Sequence, residues 1–189
     1  MHQAFINHLR KYIALSDDEI SILLTFIKPM QIKKKAFLLK EGQICRANYF
    51  VEKGCLRMFF INNKGVEQTT QFALENWWMA DNMSLIHQAE SFFYIQAVED
   101  STIIAIENHR QEELFKVLPQ LEKYFRIMLQ IAFAASQMRV KYFHTYTKEE
   151  NYRTFVAQFP SFIQRIPQYM LASYLGLTPE YVSELRKRG

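Results

Sequence analysis

Glycine is scarce in this chain. Only Gly42, Gly54, Gly65, Gly176 and Gly189 occur among 189 residues, and no two stand at a Gly-x-Gly spacing. A backbone that cradles phosphates needs glycines grouped together so that it can approach the anion, so a Walker-type loop and a dinucleotide fingerprint are excluded. Cysteine is scarcer still. Cys45 and Cys55 cannot supply a disulfide scaffold, a four-cysteine metal site or an iron–sulfur cluster, and both are expected to be reduced thiols. Long apolar runs are also missing. The first residues hold no stretch of about 7 to 15 apolar residues, and nowhere do roughly 20 follow one another, so the chain is expected to be cytoplasmic and to stay out of membranes. His87, His109 and His144 are scattered, and no His-x-His occurs. No metal or other cofactor is expected, and the rival reading, a cupin-like small-molecule binder or enzyme, lacks its ligands.

What is present is a folded composition, 49% apolar and 15% aromatic. Its charge is unevenly placed. Residues 1–138 hold fifteen Lys and Arg against fifteen Asp and Glu, whereas residues 139–189 hold eight against four. A local basic excess favours phosphate backbones or anionic membranes.

Residues 3–28 read as two short helices, the second opened by Ser16 as N-cap with Glu19 three positions on; Pro29 is expected to end that segment. From about 30 to 107, short β-branched and aromatic runs alternate with turn signals, the pattern of a sandwich, roll or barrel. Asn63-Lys64-Gly65, between Phe60-Ile61 and Val66, is the strongest hairpin signal. Asn108 is expected to cap a helical region divided at Pro119. Beyond it Tyr124, Met128, Ile131, Ala135, Met138 and Tyr142 follow the heptad spacing of two helices packed side by side. A second stripe, Leu121, Phe125, Met128, Ala132 and Ala135, runs beside it. A helix apolar on two faces must be covered twice, which predicts its own β region on one face and a second subunit on the other. The alternative is a helix buried within a larger monomer.

Lys148–Phe159 reads as a further helix, followed by a linker from Pro160 through Pro167. Residues 168–188 then read QYMLASYLGLTPEYVSELRKR. Ala172 leaves room for a crossing helix, Gly176 supplies the positive φ that ends the first helix, and Thr178 with Pro179 caps the second. Val182 and Leu185 face inward, leaving Glu180, Tyr181, Ser183, Glu184, Lys187 and Arg188 outward. Two short helices joined by a Gly-containing turn form a helix-turn-helix. The bland alternative is an αα-hairpin that serves only packing.

A β-roll, a long helix and a C-terminal helix-turn-helix, in that order, resemble the Crp/Fnr family of bacterial transcription regulators. The wordings Glu75-Asn76-Trp77-Trp78, Ile95 to Ser101, Ile166-Pro167-Gln168 and Ala172 to Glu180 are similar to its short Bacteroidetes-type branch. The resemblance implies an α+β chain with an effector-type roll over 1–118, a dimerisation helix over 119–146 and a DNA-binding helix-turn-helix domain over 147–189. It also implies a homodimer on double-stranded DNA, contact with RNA polymerase, and no enzymatic activity.

Cyclic-nucleotide-binding members of that family carry Gly-Glu followed about ten residues later by Arg-Ser or Arg-Thr. That cassette aligns here on Ala80-Asp81 and Ser91-Phe92. Ser91 replaces the arginine that would pair with the cyclic phosphate, a loss of about 1.5–3 kcal/mol. Cyclic AMP is therefore not the expected effector. Arg46, Lys53 or Arg57 could compensate from other strands, and Trp78, Ala80, Asp81, Ser91 and Phe92 are the candidate lining of a pocket for an unknown small molecule. In the recognition helix Glu184 stands where the family commonly has arginine. Glutamate can only accept from a base edge, so the site should differ from the common half-site. Thr178, Glu180, Tyr181, Ser183, Glu184, Arg186, Lys187 and Arg188 form the candidate DNA-binding set, with Arg186, Lys187, Arg188 and Arg165 assigned to phosphates.

Overall fold

The computed structural model describes residues 2–188, and Met1 and Gly189 lie outside the described residues. Helices α1 (Gln3–Arg10) and α2 (Asp17–Phe26) lead into strands β1 (Ile27–Ile32), β2 (Phe37–Leu39), β3 (Ala47–Lys53), β4 (Leu56–Ile61), β5 (Glu67–Ala73) and β6 (Trp78–Met79). A short helix α3 (Asn82–His87) precedes β7 (Tyr94–Ala97) and β8 (Ser101–Glu107). The remainder is helical: α4 (Asn108–Val117), α5 (Gln120–Thr145), α6 (Lys148–Gln158), α7 (Pro160–Arg165), α8 (Gln168–Leu175) and α9 (Pro179–Lys187). The fold is α+β, an N-terminal roll of two four-stranded antiparallel sheets ordered β1-β8-β3-β6 and β2-β7-β4-β5, with a helical C-terminal region.

Local chemistry sets the boundaries. The Ser16 hydroxyl accepts the Glu19 N–H while the Glu19 carboxylate accepts the Ser16 N–H, the reciprocal cap that starts α2. β4 and β5 pair as the hairpin closed by Asn62–Val66. In the first sheet the side chains alternate between two cores. Tyr49, Val51, Ile103 and Ala105 point between the sheets, whereas Phe50, Ile104 and Ile106 point outward under α1, α2, α4 and α5. Burial on both faces explains why β8 reads as a continuous apolar run.

Three expectations need correction here. Pro29 does not end the α2 segment but sits inside β1, an edge strand bonded only to β8, where a missing N–H costs no ladder bond. Asn108 is the first residue of α4 rather than its cap, and its amide instead donates to the Leu85 carbonyl. Residues 160–165 form α7 rather than a linker, because Pro160 occupies the first helical position, where its missing N–H is harmless.

The long helix α5 divides into two unlike halves. Leu121 and Tyr124 are buried in the outer core, and Phe125 and Met128 pack against it. Tyr124, and with it Met128, therefore belongs to the face against the chain's own roll and not to a seam with a second helix. The Tyr124 hydroxyl accepts the Trp78 Nε1–H at 2.8 Å and lies 2.9 Å from His8 Nδ1. Indole only donates, so the hydroxyl accepts from Trp78 and keeps its one proton available for a neutral His8 Nδ1. Burial, with the Lys11 charge adding to it, holds the His8 pKa below its ordinary value. Past Met128 the helix leaves the roll. Leu129, Phe133, Val140 and Phe143 are 57%, 66%, 58% and 69% exposed and share one flank at 3.6 residues per turn, while Ile131, Ala135 and Met138 are exposed on another.

Candidate nucleic-acid interface

The C-terminal helices build a small core of their own. Tyr152 from α6, Leu171, Ala172 and Leu175 from α8, and Val182 and Leu185 from α9 are buried together. Gly176 ends α8 at φ +68°, and the Leu177 N–H bonds back to the Ala172 carbonyl at 2.9 Å. Thr178 then caps α9, its hydroxyl accepting the Tyr181 N–H at 3.2 Å, and Pro179 fills the first helical position. The pair is a helix-turn-helix in geometry as well as in sequence.

On the outer surface of α9, Thr178, Glu180, Glu184, Arg186, Lys187 and Arg188 are exposed. Ser183 is half-buried. Tyr181, expected outward, packs partly against the small core. Glu184 is not a bare acid: Arg188 donates to it one turn on, so part of its charge is neutralised within the helix. Arg186 and Gln168 approach to 3.4 Å across the turn, and Gln168 donates to the Pro179 carbonyl, tying the start of α9 to the start of α8.

The basic excess is partly spent inside the molecule. Arg153 pairs with Glu149 and Arg188 with Glu184, while Arg139 donates to the Thr70 and Tyr174 carbonyls and stacks over the Tyr174 ring. Arg165, assigned above to phosphate, is turned inward onto Glu75 and Glu99 of the roll. Among the described residues from 139 on, Lys141, Lys148, Arg186 and Lys187 remain outside both these ion pairs and the carbonyl contacts of Arg139.

The aligned cassette is brought together in part and is internally satisfied. Asp81 is buried; one carboxylate oxygen caps α3 by accepting the Met83 and Ser84 N–H groups, and the other accepts the Ser91 hydroxyl at 2.6 Å. Ser91 in turn accepts the Phe93 N–H at 3.0 Å. Ala80 lies beside them in the inter-sheet core. The other two candidate lining residues face elsewhere. Trp78 is turned to the outer core through Tyr124 and Phe125, and Phe92 is 78% exposed beside an open cleft of about 330 Å³ lined with Glu41, Phe60, Ile61 and Phe93. Nor do the compensating cations point inward. Arg46 and Lys53 are exposed, and Arg57 lies on the face of β4 opposite Leu56 and Met58, bonded to Gln96 and 2.7 Å from Glu67. Among the described residues no group of three or more His, Cys, Asp or Glu side chains could hold a metal.

A cyclic nucleotide-binding domain model matches residues 29–117, nearly the whole roll. The class is thus a cyclic-nucleotide-binding-type roll joined to a helix-turn-helix. The transcriptional activator Anr of Pseudomonas aeruginosa is 27% identical over 168 residues, covering 83% of this chain and 68% of that protein. Among solved structures, FixK2 of Bradyrhizobium japonicum superposes with a TM-score of 0.73 at 16% identity over 86% of this chain and 83% of its own. A regulator assigned to the crp/fnr family from Eubacterium rectale gives 0.72 at 14% identity over 92% and 83%. In sequence the chain is similar to Anr-type transcriptional activators, and in fold to regulators of the crp/fnr family.

Proposed function

We propose that this protein is a homodimeric, sequence-specific DNA-binding transcription regulator of the cytoplasm, without enzymatic activity and with an effector other than cyclic AMP or none. The observation that carries the DNA reading is the capped turn Gly176–Pro179, which presents Glu180, Glu184, Lys187 and Arg188 on one exposed helix face, with Arg186 exposed beside α8, over a buried Val182–Leu185 seam. The dimer reading rests on the bare half of α5. Its line of Leu129, Phe133, Val140 and Phe143 is apolar, heptad-compatible and uncovered by the chain itself. Contact with RNA polymerase is part of the same proposal, supported by the likeness to Crp/Fnr-type regulators.

The effector reading rests on Asp81 and Ser91. A buried carboxylate whose oxygens are already bonded, with no cation turned toward it, repels a cyclic phosphate rather than holding it. Selection of DNA from a random library, repeated at two salt concentrations, tests the main claim. A palindrome with half-sites about 34 Å apart should be enriched, and affinity should fall steeply with salt as phosphate contacts release counterions. Calorimetry with cyclic AMP and cyclic GMP should give no binding heat, and micromolar binding would overturn the effector reading.

A further inference from the structure

We infer that Arg165 is a positioning residue for DNA recognition, clamping the helix-turn-helix to the roll so that the separation of the two recognition helices in the dimer is fixed. The inference rests on the DNA-binding reading above and adds what sets the spacing of its half-sites.

Arg165 is the last residue of α7 and stands three positions before the first residue of α8. Three loops of the roll converge on its guanidinium. Glu75, after β5, accepts from both terminal nitrogens, Nη1 at 2.9 Å and Nη2 at 2.8 Å. Glu99, before β8, and the Gly54 carbonyl, between β3 and β4, both accept from Nη2. The notch is built in advance of its occupant. The Gly54 N–H donates to Glu75 at 2.8 Å, which aims the carboxylate. Only glycine fits at that position, since φ is +107° and a Cβ would stand 2.3 Å from Ser101 Oγ. Burial alone would raise the Glu75 pKa, but the Arg165 guanidinium and the Gly54 N–H outweigh it and hold the carboxyl below its ordinary value. Without a guanidinium, Glu75 and Glu99 would face the same notch as like charges.

The surroundings make this a fixed contact rather than a passing one. Beneath the clamp, Cys55 and Val98 of the roll are buried with Phe162, Ile166 and Met170, and Phe72 meets Phe162 and Tyr174 edge-on. Domains joined through a substantial apolar contact lose the relative mobility that is otherwise the default. Arg165 is not part of the core shared by α6, α8 and α9, so its loss frees the orientation of the domain while leaving its fold. Because α8 and α9 share that core, holding one holds the other.

The test uses the full-length protein and a DNA library carrying the wild-type half-site in inverted pairs at stepped spacings. Wild type should select one spacing. Arg165→Met should bind about tenfold more weakly at that spacing, within the usual range of coupling between sites, and should accept neighbouring spacings, with the half-site sequence unchanged. Arg165→Lys should lie between the two, since an ammonium keeps the charge but not the fork. The paired change Glu75→Gln and Glu99→Gln, made on the roll side of the contact, should broaden the spacing in the same way. Circular dichroism should show each variant folded. A spacing preference as narrow as wild type in both Arg165→Met and the glutamine pair overturns the clamp and leaves the DNA reading intact. A wild-type protein that enriches no paired site overturns the DNA reading, and the clamp's role with it.

Discussion

The two halves of α5 are similarly apolar and differ in what covers them. Between Leu121 and Met128 the side chains of Leu121, Tyr124, Phe125 and Met128 pack in the core against the chain's own roll, and the one buried polar group, the Tyr124 hydroxyl, meets Trp78 and His8. From Leu129 to Phe143 comparable residues stand in solvent. A helix that is apolar where nothing covers it has its partner elsewhere, whereas the first half has consumed its own. The difference teaches that spacing along a helix identifies faces but does not say which face is already taken.

The largest expected effect falls on the bare half. Phe133→Glu combined with Val140→Glu should yield a folded monomer by sedimentation, because burying two unpaired carboxylates opposes association. The lost link between two DNA-binding modules should lower affinity about 100-fold or more; a protein that remained dimeric would move the seam to another surface. In the covered half, Tyr124→Phe should cost about 1–3 kcal/mol in urea unfolding by stranding the Trp78 N–H and His8 Nδ1. Its mass in solution should not change.

A smaller effect separates the halves by pH. His8 is held neutral with its pKa below 6.5, so the unfolded chain takes up the proton first. Its contribution is complete above pH 6.5 and is lost as pH falls through the lowered folded-state value. The urea midpoint should therefore decline below pH 6.5, and His8→Gln, whose carbonyl can accept the Tyr124 proton at any pH, should flatten that decline. The smallest effect is expected from Lys141→Ala on the exposed polar flank of the bare half, within about 0.5 kcal/mol in stability and without change of mass. A monomer from that variant would mean that charge, not apolar surface, holds the copies together.

Much of this was legible in the chain itself. The Ser16 cap and the Thr178–Pro179 start of α9 follow from side chains that bond their own backbone within three residues, and short-range chemistry of that kind is written locally. The errors share a cause. Proline reads as a stop at positions 29 and 160, although an edge strand and a first helical turn both accept it. Heptad spacing placed Tyr124 in a seam because spacing carries no record of the roll that covers it. The cassette alignment found Asp81 and Ser91, ten residues apart, and the two prove to touch. No pattern connected Arg165 to Glu75 and Glu99, which lie 90 and 66 residues away and meet it only through the fold. That long-range contact also changes the meaning of the charge excess, which is smaller at the exposed surface of the C-terminal helices than residues 139–189 suggest.

The Ser173 hydroxyl joins the C-terminal helices to a strand edge of the roll. β5 is the outer strand of its sheet, and Ser173 of α8 accepts the Thr69 N–H and donates to the Glu67 carbonyl, each at 2.8 Å, in the place of a neighbouring strand. An open strand edge is a template on which other chains can pair. The same docking that orients α9 thus shields an adhesive edge, and a variant that lets the C-terminal region swing away should aggregate as well as misread its DNA.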